Sequence, residues 1–441
     1  MHRLLLGIGL VLVLAGASLG LVALLRSGSD SAGSSQTTAP SGGQSAELAV
    51  AFWRSRTESD PTDFVAYSKL GLAYARYARE TGDNTAYASA QAALESSLRL
   101  RPDDIEARVA LAEVMLARHE FVPALETAQL AYAADPDATA ALATVGDAHL
   151  ALGNYDEGLA AYEALAEVAT GPAVLSRLAY VVELYGDPEE AIELMREAEA
   201  AASERSSSPE RLAWYRTQLG DLLFKVGSYD EARTWYERSL EALPSYAFAL
   251  GGLARVETAA GNYDGAIALY EDALSSRAEP PFHAALGDLF NALGDDAKAQ
   301  EHYATARALS QYEVESGIPH IHEFVMLHAA YGVETEGSVD LALAQLAGRR
   351  DIYSYDAAAW ALYHAGRYAE AAPLIEQALR LGTQDAQLLY HAGMIFRALG
   401  DEAQARTLLE QSLELSPHFS LRGRAEAQAA LSELLAAVNA S

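Results

Sequence analysis

The 441-residue sequence contains no cysteine. That absence excludes disulfides, thiolate metal sites, a cysteine nucleophile and the acylated cysteine of a bacterial lipid anchor. Basic residues are scarce: 31 Lys and Arg stand against 61 Asp and Glu, and the lysines are only Lys69, Lys225 and Lys298. A net charge of −30 repels a phosphate backbone, so nucleic-acid binding is not expected. No Gly-rich phosphate loop, GxSxG elbow or HExxH pair occurs, so no catalytic residue and no cofactor is expected.

The long uncharged run is confined to the N-terminus. Leu4 to Leu25, between Arg3 and Arg26, carries no charge and is mostly Leu, Val, Gly and Ala. At ~1.5 Å per residue such a run spans a ~30 Å hydrocarbon core, and it exceeds the ~7–15 apolar residues usual in a cleavable signal. Residues 1–26 therefore read as a transmembrane signal anchor, with a secretory signal cut near Ala15-Gly16-Ala17 as the alternative. The expected placement is membrane-anchored with the large domain outside the cytoplasm, or secreted if the segment is cleaved. Residues 27–45, rich in Ser, Gly and Thr, cannot bury enough apolar surface to offset their ordering entropy and read as a flexible linker.

From residue 46 to 441 the pattern is helical and repetitive. Turns of the form Gly-Asn/Asp/Ser-Tyr-Asp recur near Gly153, Gly186, Gly227, Gly261, Gly294, Gly366 and Gly400, spaced by 33, 41, 34, 33, 72 and 34 residues. The 72 is two units with a degenerate turn between them, and the 41 marks an inserted loop. A period of this size means stacked supersecondary units, none of which buries its apolar face alone. Between Trp214 and Pro244 one unit is legible. Leu219, Leu222 and Leu223 lie at helical spacing, Gly227 stops that helix, a second begins at Ser228 or Asp230 with Ala232, Trp235, Tyr236 and Leu240 inward, and Pro244 ends it. Gly220 and Ala232 are small where the two helices must cross closely.

This pattern resembles the tetratricopeptide repeat (TPR). The matching residues include Leu70, Gly71, Tyr74 and Pro102; Gly146, Gly153, Tyr155 and Tyr162; Leu219, Gly220, Ala232 and Tyr236; Leu286, Gly287, Ala299 and Tyr303; and Gly393, Gly400, Ala405 and Pro417. The resemblance implies an all-α, right-handed solenoid of about ten helix-turn-helix units. They fall near 64–103, 105–138, 139–171, 172–202, 213–246, 247–279, 280–312, 318–351, 352–385 and 386–418, with a C-terminal cap helix at 422–439. The segments from Arg349 to Leu362 and from Tyr390 to Ile395 further resemble exported bacterial members of that family.

Two clusters invite a chemical reading. His320, His322, Glu323 and His328 suggest imidazole and carboxylate metal ligands. On a helix, however, eight residues turn through about 800° and six through about 600°, which separates His328 from both other imidazoles, so no metal is expected. Paired acids such as Asp156-Glu157, Asp187 with Glu189 and Glu190, Asp230-Glu231, Asp295-Asp296 and Asp401-Glu402 recur just after the turn. There they satisfy free N–H groups and complement the helix dipole.

In the resembled fold, first helices line a concave groove. Carried over position by position, the expected groove contacts are Tyr180, Trp214, Asp221, Lys225, Arg255, Asp288, Asn291, Tyr353, Asp356, Trp360, Tyr390 and Arg397. Their aromatic and Arg content suits recognition. The Lys and Asn clamp that some relatives use on chaperone tails is absent. The expected function is a non-catalytic scaffold that binds a protein or peptide partner in its groove while tethered to a membrane. An assembly factor for an envelope complex, of the cytochrome-maturation kind, is the alternative, and a metal-dependent enzyme a remoter one.

Overall fold

The computed structural model describes residues 46–205, 207–315, 321–330 and 335–440. The expected anchor at 1–26 and linker at 27–45 lie outside them. The described residues form 22 helices and no strand, and none of these helices is long and apolar enough to cross a membrane. The chain divides into two compact units, one of described residues up to Ala169 and the other of those from Thr170 onward apart from Glu315.

The first unit comprises α1 (Ala46–Ser59), α2 (Phe64–Thr81), α3 (Ala86–Leu100), α4 (Ile105–Ala117), α5 (Phe121–Ala134), α6 (Thr139–Ala151) and α7 (Tyr155–Val168). Helix α2 runs for 18 residues before Gly82 caps it in the left-handed region. Helix α1 precedes the expected first repeat. It packs Val50 and Trp53 against Leu70 and Ala73 of α2.

The second unit begins with α8 (Pro172–Leu184), α9 (Pro188–Glu204), α10 (Pro209–Lys225), α11 (Tyr229–Ala242), α12 (Ala247–Ala259), α13 (Tyr263–Ser276), α14 (Pro280–Ala292) and α15 (Asp296–Glu315). It continues through α16 (Ile321–Ala330), α17 (Thr335–Gln345), α18 (Ile352–His364), α19 (Tyr368–Ala378), α20 (Ala386–Leu399), α21 (Glu402–Leu415) and α22 (Leu421–Ala440). The insertion expected between Gly186 and Gly227 is taken up largely by helix: α9 runs on to Glu204, and Ser208 caps α10 by accepting from the Arg211 N–H.

One local device recurs in both units. At the turns, Gly153, Gly186, Gly227, Gly261, Gly294, Gly366 and Gly400 all take φ between 73° and 86°, where a Cβ would be strained. The acids that follow divide into two roles. Asp187, Asp295 and Asp401 accept hydrogen bonds from the N–H groups of Glu190, Lys298 and Gln404, whereas Asp156, Glu157, Asp230 and Glu231 lie within the first helical turn. Where first and second helix cross, a glycine admits a tyrosine ring. A Cβ on Gly220 would stand 2.6 Å from the Tyr236 ring, which is itself completely buried. The ring reaches through to donate its hydroxyl to Asp221 at 2.8 Å, and Tyr303 reaches Asp288 at 2.8 Å in the same way past Gly287. Tyr162 and Asp147 repeat the pair in the first unit.

Candidate functional site

Within the second unit the chain returns onto itself. The turn after α8 meets the loop before α20: Thr383 Oγ1 donates to the Leu184 carbonyl, and a Cβ on Gly186 would come within 2.5 Å of the Gly382 carbonyl oxygen. The turn after α10 meets the loop before α22. Tyr229 donates to Ser416 Oγ at 3.0 Å, Ser416 donates to the Phe224 carbonyl at 3.3 Å, and the His418 N–H donates to the Tyr229 hydroxyl at 2.9 Å. Lys225 closes the same seam, with its ammonium 2.6 Å from Glu183 and 3.9 Å from Asp385. Burial opposes the charge on Lys225, and the Glu183 and Asp385 carboxylates outweigh it, so its pKa is raised.

The returning chain borders an open-sided cavity of about 530 Å³, lined by the first helices α10, α12, α14, α16, α18 and α20, by Tyr270 of α13 and by residues 418–426. On one wall Trp360 anchors an aromatic cluster. The His391 ring stacks on it at 4.0 Å and 21°, His364 meets it edge-on at 4.6 Å, and Tyr390 tilts against it at 5.4 Å. His391 is held from behind, its Nδ1 donating to the Asp356 carboxylate at 2.9 and 3.0 Å. Burial pushes the His364 imidazole down to about 4, with His391 and Arg422 acting in the same direction, and its Nε2 has no hydrogen-bond partner among the described residues. Tyr390 donates to Glu426 at 2.5 Å, and Arg422 donates to the other oxygen of that carboxylate at 2.7 Å.

The opposite wall carries Arg255, which bonds Asp221 and lies over the Phe224 ring at 4.9 Å. Asp288, Tyr270 and Leu289 line it further. Burial raises the Tyr270 hydroxyl to about 12 despite the nearby Arg255. His322 and Glu323 of α16 also line the cavity, and His322 Nδ1, itself buried, has no hydrogen-bond partner among the described residues.

The expected groove contacts are therefore redistributed. Arg255, Asp288, Trp360 and Tyr390 converge on the cavity. Tyr180, Tyr353, Asp356, Trp360 and Tyr390 are 4–7% exposed, so they do not form the open surface that helix position alone implied. Neighbouring first helices stack closely enough to bury them. Asp221 and Asp288 accept from the tyrosines of their own repeats, Lys225 pairs with Glu183, and Arg397 pairs with Glu433. Trp214 is half-buried against Tyr215 at 4.9 Å, and Asn291 is exposed outside the cavity.

His320 lies outside the described residues. Of its expected neighbours, His322 borders the cavity, while His328 is buried and stacked on Phe324 at 3.9 Å. No group of three or more potential metal ligands occurs among the described residues. Sequence reasoning did not pick out His364, Arg422 or Glu426. The imidazole follows Trp360 at a four-residue spacing that places both on one helix face, a usable signal. Arg422 and Glu426 reach the site through chain closure, which leaves no local trace.

With this geometry in view, residues 172–279 match the tetratricopeptide repeat family in two overlapping stretches, 172–245 and 213–279, and residues 357–418 match a second tetratricopeptide repeat family. These segments match tetratricopeptide repeats, and the described residues are all-helical, arranged as tetratricopeptide-like helix pairs. Tetratricopeptide repeat protein 21A of Mus musculus is 31% identical over 168 residues, which is 37% of this chain and 12% of that protein. The chain thus matches about an eighth of that relative's length. Among solved structures, the human IFIT1 dimer with m7Gppp-AAAA aligns over 76% of this chain and 77% of its own, at 18% identity and a TM-score of 0.46. Yeast Tom70 aligns over 88% of this chain and 92% of its own, at 14% identity and a TM-score of 0.36.

Proposed function

We propose that this protein is a non-catalytic scaffold that holds a short segment of a partner protein in the cavity of its second unit. Tetratricopeptide repeat proteins generally mediate protein–protein interactions, and the observation that carries the reading here is the cavity itself. Its walls are built from the first helices of successive repeats and are mainly aromatic and apolar, with a few convergent polar groups. In this reading residues 1–26 tether the solenoid to a membrane and 27–45 give it reach, with the repeats outside the cytoplasm.

Crosslinking and affinity capture of the full chain from membranes tests the reading. Thr258→Trp, which fills the cavity from its wall, should abolish recovery of the partner, whereas Asn291→Ala should leave it intact. Equal recovery with both variants would remove the cavity from the interaction. Deleting residues 1–26 should release the protein into the soluble fraction.

A further inference from the structure

We propose that His283 and His302 form a two-imidazole site for a divalent transition-metal ion of the copper, nickel or zinc class, with water in its remaining positions. Neither residue lines the cavity, so the site stands or falls independently of the scaffold reading.

The geometry carries the inference. His283 lies in the first turn of α14 and His302 in the second turn of α15, and their Nδ1 atoms face each other at 3.1 Å. Only one proton can lie between two imidazole nitrogens placed in this way, and an ion can take its place. At ~2.0–2.1 Å per metal–nitrogen bond, two nitrogens 3.1 Å apart subtend about 95–102° at a shared ion, between the ~90° of tetragonal and the ~109° of tetrahedral coordination. The rings are held in place before any ion arrives. His302 stacks on Phe290 at 5.4 Å and 16°, and His283 tilts against His302 at 5.4 Å and 35°. Both are half-buried, so each keeps a path to solvent.

Repeat packing does not itself call for these imidazoles. His283 stands four residues before Gly287, and His302 immediately before the Tyr303 whose ring that glycine admits. The same two positions hold Arg216 and Trp235 in the repeat of Gly220, and Leu142 and Ala161 in the repeat of Gly146. The close helix crossing thus sets the spacing, and the choice of residue adds the ligands. Burial favours the neutral imidazole at both positions, the form that offers a lone pair. Around His302 the Glu271 and Glu301 carboxylates act against a single ammonium, Lys298, a balance that favours an incoming cation. Imidazole nitrogen selects copper, nickel and zinc over the hard cations calcium and magnesium, which prefer oxygen.

The test is calorimetric titration of the untagged full chain with copper(II), zinc(II) and magnesium(II) near neutral pH, with thermal unfolding measured alongside. Copper(II) should bind saturably and raise the melting temperature, because an ion shared by two helices binds the folded state. Zinc(II) should occupy the same site more weakly. His283→Gln and His302→Gln should each cut copper affinity tenfold or more and remove the rise in melting temperature. The nitrogen coupling in the electron paramagnetic resonance of bound copper should weaken in either variant. If His302→Gln destabilises the metal-free chain by losing its stack on Phe290, His283→Gln on α14 decides. Copper affinity and thermal shift unchanged in a folded His283→Gln variant overturn the proposal, since other histidines would then hold the ion. Magnesium(II) binding as tightly as copper(II) also overturns it, because that pattern belongs to surface carboxylates.

Discussion

Tyr236 donates its hydroxyl to Asp221 at 2.8 Å from the second helix of a repeat to the first, and Arg255 of the next repeat bonds the same carboxylate. One acid thereby ties a helix pair together and joins that pair to its neighbour. Gly220 permits this by leaving the ring room, and the relationship links repeat packing to the cavity wall.

Gly220→Ala should destabilise the second unit by about 1–3 kcal/mol, since its Cβ would stand 2.6 Å from the Tyr236 ring and neither helix can withdraw without opening the core. Tyr236→Phe keeps the ring and removes the donor, at a cost of about 1 kcal/mol. Thermal unfolding followed by circular dichroism measures both, and a Gly220→Ala melting temperature equal to the parent's would contradict the packing account.

The seam has its own signature. Gly186 combines φ 83° with a neighbouring carbonyl 2.5 Å from any added Cβ, so Gly186→Ala should part the α8 turn from the loop before α20. Hydrogen exchange should quicken around both residues 184–186 and 382–384. Acceleration confined to the α8 turn would mean that the contact holds nothing closed.

Asp356→Asn is expected to cost about 1–3 kcal/mol, because Asp356 and His391 are 4% and 2% exposed and the amide replaces a charged acceptor. Chemical denaturation gives the cost. The loss should fall sharply in the double variant Asp356→Asn, His391→Gln, and additive single-site losses would show that the two residues do not act as a pair.

Stability should also depend on pH through His364. Its folded pKa, about 4, lies below the ordinary imidazole value of 6.5, so the unfolded chain binds more protons between these limits. Stability is complete above about pH 6.5, is lost as pH falls toward about 4, and does not fall further on this account below it. His283, His302 and His418 are also lowered, by burial first, and add to the same slope. Glu426 is separate: burial raises its pKa, hydrogen bonds from Arg422 and Tyr390 lower it further than that, and its contribution is lost only in the carboxylate range. His364→Gln should flatten the unfolding free energy between pH 6.5 and 4 by a measurable fraction, and an unaltered slope would exclude His364 as its source.

Much of the solenoid is legible in residue spacing. The Gly-Asn-Tyr-Asp turns mark helix ends because left-handed φ favours glycine and because an acid after the turn meets free N–H groups. Those effects act within four residues and so leave a periodic trace. The cavity is legible only in part. Arg255, Asp288, Trp360 and Tyr390 follow from helix position, whereas the burial of Trp360 and Tyr390, and the pairing of Asp221 and Asp288 with tyrosines 15 residues on, depend on how tightly the helices stack.

The sequence by itself determined an acidic, cysteine-free chain of stacked helix pairs, because period, turn glycines and composition are local properties. Only tertiary structure decided that Leu184 meets Thr383 and Phe224 meets Ser416. Small angular offsets between successive repeats accumulate along the unit until the chain closes on itself. No residue encodes that sum alone, yet it is what brings Arg422 and Glu426 of the last helix to the same cavity as Arg255 and Asp288.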